Sequence, residues 1–211
     1  MTAHLPLPEP DTVDSLAAAV GACRACAGRF AATRTRHAPR PVPWLSATAP
    51  ILVCGQAPGA RVHELGRPFD DRSGDRLRDW LGVDRAAFYD RRRFAVLPMA
   101  FCFPGYDAKG SDLPPPLCAT LWRGRALAAM PQVRLTLLIG GHAQRWALGP
   151  ASVTAAVAGW REAPAGVIPL PHPSWRNTAW LKRNPWFEAE VVPELRARVA
   201  ALLEPIAAGP A

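Results

Sequence analysis

Apolar residues recur along the chain with two different periods. Val13, Leu16 and Val20 fall at helical spacing behind Asp11 and Thr12, either of which can cap a helix over 11–22. Ile51-Leu-Val-Cys54 is a continuous apolar run between Pro50 and Gly55, the pattern of a strand buried on both faces. Leu77, Trp80 and Leu81 make the stripe of a helix over 73–81, with Ser73 as its cap. The pattern then predicts a strand over 94–98, a helix over 117–130 and a strand over 135–139. Gly140-Gly141 follows, and a further helix runs through Leu148. A helix over 152–160, a strand over 167–170 and a closing helix over 186–203, broken or bent near Pro193, complete the reading. Residues 23–50 read as an irregular arm and 103–116 as a Pro/Gly loop longer than a plain connection needs. The tail from Pro205 reads as frayed.

Continuously apolar strands alternating with helices predict a parallel sheet covered on both faces. The 211 residues fit one domain over 1–211, with 1–50 as its N-terminal helix and cysteine-bearing arm. In such folds ligands bind where strands end. Two polar turns stand there: Gly55-Gln-Ala-Pro-Gly59 with Gly66-Arg-Pro-Phe-Asp-Asp-Arg-Ser-Gly-Asp75, and Leu170-Pro-His-Pro-Ser-Trp-Arg-Asn177.

Charge sharpens the picture. The formal net charge is +8, and the only lysines are Lys109 and Lys182, so the excess is arginine. Guanidinium forks suit phosphate and base edges, so the excess points to a polyanionic partner or else reflects a biased composition, and composition alone favours neither. No apolar run is long enough to span a bilayer, and the first residues lack the regions of a signal peptide. The expectation is a cytoplasmic monomer with no obligate protein partner, whose cysteines are thiols or metal ligands.

Several side chains in these turns can carry chemistry. Gln56 can hold a water, and Asp70, Asp71 and Asp75 can orient or activate one or simply cap a helix. His172 lies between two prolines that fix its direction, so it can donate to charge developing on a leaving group. Ser174, Trp175, Arg176 and Asn177 combine phosphate donors with an apolar wedge, or else form a surface turn over a half-buried Trp. Phe69 is either core or a platform on which a base stacks. Cys54 reads as a small core residue. Cys23-x-x-Cys26, Cys102 and Cys118 can ligate an iron–sulfur cluster or a structural zinc, pinning the arm to the long loop.

Taken in order and at these separations, the motifs resemble the uracil-DNA glycosylase superfamily, specifically its bacterial and archaeal iron–sulfur branches. The resemblance runs from Cys23 to about Asn177. Gly55-Gln-Ala-Pro-Gly59 looks like the first active-site motif, Gly66-Arg-Pro-Phe69 like the base-stacking segment, and His172-Pro-Ser174 like the second active-site motif. The stretch 69–75 is similar to the branch that carries its Asp in this second loop, and the four cysteines recur in the family's order.

The resemblance implies a three-layer α/β/α sandwich with a central four-stranded parallel sheet. It also implies hydrolysis of the N-glycosidic bond of a deaminated base, uracil foremost, flipped out of DNA. Phe69 would stack on the base, and backbone groups near Gly55 and Ala57 would hydrogen-bond it. His172 would stabilise the departing base, while Asp71 would position water or stabilise the sugar cation. Gln56 stands where other branches carry an acid; its amide can hold a water but cannot take its proton. The cysteines would hold a [4Fe–4S] cluster, with zinc as the alternative. After the second strand, where the family places a base-reading Asn, this chain has Leu97-Pro-Met-Ala-Phe101. Met99 would then touch the base without making those bonds, which loosens selectivity. Trp175-Arg176 also departs from the small or variable residues expected there. A catalytically weak or inactive module that binds damaged DNA is the competing expectation.

Overall fold

The structure, a computed structural model, describes residues 11–110 and 112–204. The tail from Pro205 lies outside the described residues. Four parallel strands form one sheet in the order β2-β1-β3-β4: β1 (Ile51–Cys54), β2 (Phe94–Val96), β3 (Leu135–Ile139) and β4 (Val167–Leu170). Ile51 pairs with Phe94 on one side and Leu135 on the other, and Thr136 pairs with Val167.

Side chains alternate across the sheet, and both faces are buried. Ile51, Val53, Leu135 and Leu137 pack on one face with Leu77 and Trp80 of α4 (Arg72–Leu81) and Leu195 of α10 (Val192–Leu203). Leu52, Cys54 and Leu138 face the other way, onto Leu16 and Val20 of α1 (Val13–Gly21) and Ala126 of α6 (Pro116–Ala128). Burial on both faces is why the strands read as continuous apolar runs, and it makes the three-layer α/β/α arrangement. Trp44 of the arm bridges antiparallel to Val96, so a backbone segment covers the outer edge of β2.

Several local expectations are corrected. Thr12 caps α1, while Asp11 pairs with Arg125 of α6 at 2.7 Å. Helix α4 starts at Arg72 and is capped by Asp71, not Ser73; the Asp71 carboxylate accepts the Gly74 N–H. A carboxylate is the better cap because it also meets the positive end of the helix dipole. Strand β2 stops at Val96, two residues before the expected end.

The arm contains a short helix, α2 (Ala27–Ala31), and three further helices lack a sequence signal strong enough to predict: α3 (Ala60–Leu65), α5 (Arg85–Tyr89) and α9 (Thr178–Arg183). Between β3 and β4 lie α7 (Gly140–Leu148) and α8 (Val153–Ala158), the latter capped by Ser152. Near Pro193 the closing helix is irregular, as expected, but not broken. A π-helical turn over Phe187–Val191 precedes α10, with Val192 N–H bonded to Phe187 O. The wider turn accommodates the missing proline donor and keeps Phe187 and Val191 buried.

From β1 the chain moves outward to β2, then returns across to β3 and β4. The direction reverses between β1 and β3. That switch point opens a crevice beyond their carboxyl ends, where ligands bind in open α/β sheets.

Candidate active site

A cavity of about 600 Å³ lies in this crevice. The loop after β1 lines it with Gly55, Gln56 and Ala57, the second loop with Phe69 and Asp71, and the turn after β4 with His172 and Ser174 through Asn177. The two polar turns, about a hundred residues apart in sequence, therefore do face each other.

Phe69 is held by unusual backbone geometry. Its φ is 55°, the left-handed region that costs a non-glycine residue on the order of 1–3 kcal/mol. Its carbonyl accepts from Arg78 Nη1 at 3.2 Å and lies so close to Gly74 that a Cβ there would collide with it. Its ring meets Phe88 edge-on, and the ring tip comes next to Gly55. The sequence left Phe69 open between core and platform; it is half-buried and shows itself to the cavity.

The neighbouring aspartates separate. Asp70 is buried and bonded to Arg85 at 2.8 Å and Arg67 at 3.1 Å. The Arg85 guanidinium, joined by Arg67 and Arg61, holds its carboxyl below the usual range. Asp75 pairs with Arg78 on α4. Only Asp71 of the three lines the cavity, with Oδ1 accepting the Gly74 N–H at 2.9 Å.

His172 follows β4 and is half-buried. The Ser174 backbone N–H donates to its Nδ1 at 3.1 Å, so in the neutral ring the proton is on Nε2. Burial lowers its pKa below the usual histidine value, and Arg176 lowers it further, against the opposing pull of Asp71 and Asp112. Gly140, with a φ of 75°, brings the start of α7 up to the His172 side chain.

Gln56 is anchored across the cavity. Its Nε2 donates to Asp112 O at 2.9 Å and approaches Asp112 Oδ1 at 3.4 Å. Asp112, from the long Pro/Gly loop, also lines the cavity, as do Arg61 and Arg72. Sequence reasoning missed these three residues. The length of the loop was the only available signal for Asp112.

In the turn after His172, Ser174 Oγ accepts the Arg176 N–H at 3.2 Å and Asn177 Nδ2 donates to His172 O at 2.8 Å. Arg76 of α4 braces it by donating to Ser174 O at 3.2 Å. Ser174 and Asn177 thus shape the turn, leaving Trp175 (71% exposed) and Arg176 presented at the cavity mouth. After β2, Pro98 and not Met99 reaches the cavity wall; the Met99 N–H bonds Gly55 O at 2.9 Å. Pro98 offers no donor to a base edge.

Apart from this cavity, Cys23, Cys26, Cys102 and Cys118 line one small cavity with Phe30, Pro115, Leu121 and Trp122. Burial pushes the Cys102 thiol up to about 12 and Cys118 up to about 11; neighbouring thiols add to both shifts. The Phe101 N–H donates to Cys118 Sγ at 3.4 Å, and the Arg40 backbone N–H bonds Cys102. Among the described residues no three His, Cys, Asp or Glu side chains are gathered as ligands for one metal ion. In residue type, though not in their spacing here, the four thiols are the ligands that an iron–sulfur cluster takes, and backbone N–H groups reach two of the sulfurs. Cys54 is buried in the core as expected, and also accepts from Arg123 Nη2 at 3.3 Å. No described helix is long and apolar enough to cross a membrane.

Residues 42–196, most of the chain and all of the crevice, match the family model described as Uracil DNA glycosylase superfamily. The parallel sheet, its switch-point cavity and this match agree, and the chain belongs to the uracil DNA glycosylase superfamily.

Proposed function

We propose that the protein is a DNA repair glycosylase that hydrolyses the N-glycosidic bond of a deaminated base flipped out of DNA, with uracil the first candidate. The observation that carries the reading is the shared cavity of Phe69, Asp71 and His172. A flipped base stacks on Phe69, and the Gly55 and Ala57 backbone lies along its edge. His172 donates from Nε2 to the oxygen that gains charge as the base departs, an interaction worth roughly 3 kcal/mol by comparison with oxyanion-hole donors. The Asp71 carboxylate stabilises the positive charge that develops on the sugar. Trp175 enters the space left by the base, and Arg176 meets a phosphate. Pro98 in the wall supports a less selective pocket than one with an amide there.

We further propose that Cys23, Cys26, Cys102 and Cys118 hold a [4Fe–4S] cluster, placing the protein in an iron–sulfur branch of the superfamily. Held by these four residues, a cluster would cross-link the arm to the loop after β2, a structural role apart from the hydrolysis. Broad visible absorption with bound iron and sulfide supports it. A colourless, zinc-loaded protein prepared without oxygen overturns it.

The glycosylase reading is tested by incubating protein with duplex and single-stranded DNA carrying one uracil, hypoxanthine or xanthine, followed by alkali. Strand scission at the modified site is expected. Salt-sensitive binding to the same DNA without release of any of these bases favours a binding module that has lost turnover, which Gln56 in place of an acid makes the specific alternative.

A further inference from the structure

We infer that Asp112, from the long loop between β2 and α6, is the carboxylate that activates the hydrolytic water, with Gln56 as its positioning partner. This rests on the glycosylase reading and adds to it a residue outside the sequence motifs. Gln56 lies at the carboxyl end of β1, beside the cavity, yet a carboxamide accepts no proton from water at neutral pH. Its Nε2 donates to both the backbone and side-chain oxygens of Asp112, 56 positions away. That pair of contacts leaves Gln56 Oε1 to accept from a water and fixes the Asp112 carboxylate beside it, on the cavity wall.

Asp71 is poorly suited to the same task. It is the cap of α4, one oxygen committed to Gly74 N–H at 2.9 Å, on the loop that carries the Phe69 platform. Asp112 comes from another direction and is close enough to His172 and His142 to favour their protonated forms. His142 at the start of α7 and His172 after β4 thus lie near it, and Arg61, Asp71, Arg72 and Arg176 are the other charged groups that line the same cavity.

The water oxygen forms a bond to the sugar C1′ while the C1′–N bond breaks, and the electron pair leaves on the base. The water proton goes to the Asp112 carboxylate. The base anion accepts the His172 Nε2–H hydrogen bond and takes up a proton after release.

The test measures single-turnover base release at saturating DNA across pH for wild type, Asp112→Asn, Asp112→Glu and Asp71→Asn, with DNA affinity and thermal unfolding in parallel. Asp112→Asn keeps the backbone acceptor for Gln56 and a neutral side-chain acceptor. It is expected to lower the release rate by roughly 100-fold or more, as loss of a general base does. Its DNA affinity stays near wild type and the rise of rate with pH flattens. Asp112→Glu restores part of the rate and its pH dependence. Release within about threefold of wild type with an unchanged pH profile, or a loss confined to DNA affinity, overturns the assignment while the glycosylase reading stands. A wild-type protein that releases none of the bases overturns the reading, and the assignment with it.

Discussion

The Ser174 backbone N–H donates to His172 Nδ1 at 3.1 Å, and that bond decides which form of the imidazole faces the cavity. Protonating Nδ1 would set two donors against each other, so the bond and burial act together to keep the ring neutral with its proton on Nε2. A neutral ring in this tautomer donates its Nε2–H to charge on a leaving base without the ring having to be positively charged at the start.

Nitrogen NMR of His172 should therefore report the Nε2–H tautomer and a pKa below 6.5. As pH falls below the unfolded value, the unfolded chain takes up the proton first, and the folded state loses stability until its own lower pKa is passed. Above 6.5 this contribution is fully present. A His172→Gln variant should bind DNA normally and release base roughly 100- to 1,000-fold more slowly.

Asp71 and Asp70 should separate on substitution. Asp71→Asn keeps a capping oxygen, so its thermal stability should stay close to wild type, while Asp71→Ala should lose about 1 kcal/mol with the cap. Both should slow base release. Asp70→Asn should instead lower stability with base release retained, because Asp70 is tied to Arg85 and Arg67 away from the cavity. Since Arg85 lowers the Asp70 pKa, this contribution is present at neutral pH and disappears as pH falls through the folded-state value. Calorimetry at two pH values checks the sign.

Gly74→Ala should damage the site through Phe69. A methyl group there meets the Phe69 carbonyl, so the second loop must move and its platform with it. Phe69→Ala leaves the loop backbone unforced and should weaken capture of the flipped base by about 1–3 kcal/mol. Fluorescence of a base analogue opposite an abasic site, read in both variants, distinguishes a displaced platform from a missing one.

Trp175 and Arg176 should differ in how they bind DNA. Arg176→Ala is expected to reduce the slope of log affinity against log salt by about 1, for one lost phosphate contact. Trp175→Ala should leave that slope unchanged and lower the fraction of flipped base. Affinity titrations at several salt concentrations give the result.

Much of the scaffold was legible in the chain. β1, β3 and β4 appear at the predicted residues because each is an apolar run, broken only by Thr136 in β3, with Gly or Pro beside it, and burial on both faces enforces that pattern. The loops that bear the site were legible for a related reason: Gly55–Gly59 and Pro171–Ser174 interrupt apolar strands with residues that stop strands and start turns. Short helices such as α3 and α9 were not, since five or six residues carry too little periodicity to register.

Direction and partnership came from long-range packing. Two adjacent aspartates look equivalent in sequence, yet Asp70 turns to Arg85 and Asp71 to the cavity, because the left-handed turn at Phe69 sets where each points. Gln56 met Asp112 only once the sheet brought the loops after β1 and β2 together. Which residue types stand at the strand ends is written in the chain, since local apolar patterning and turn chemistry act over a few neighbours. Which of them meet across the crevice was decided by long-range packing, which no local pattern encodes.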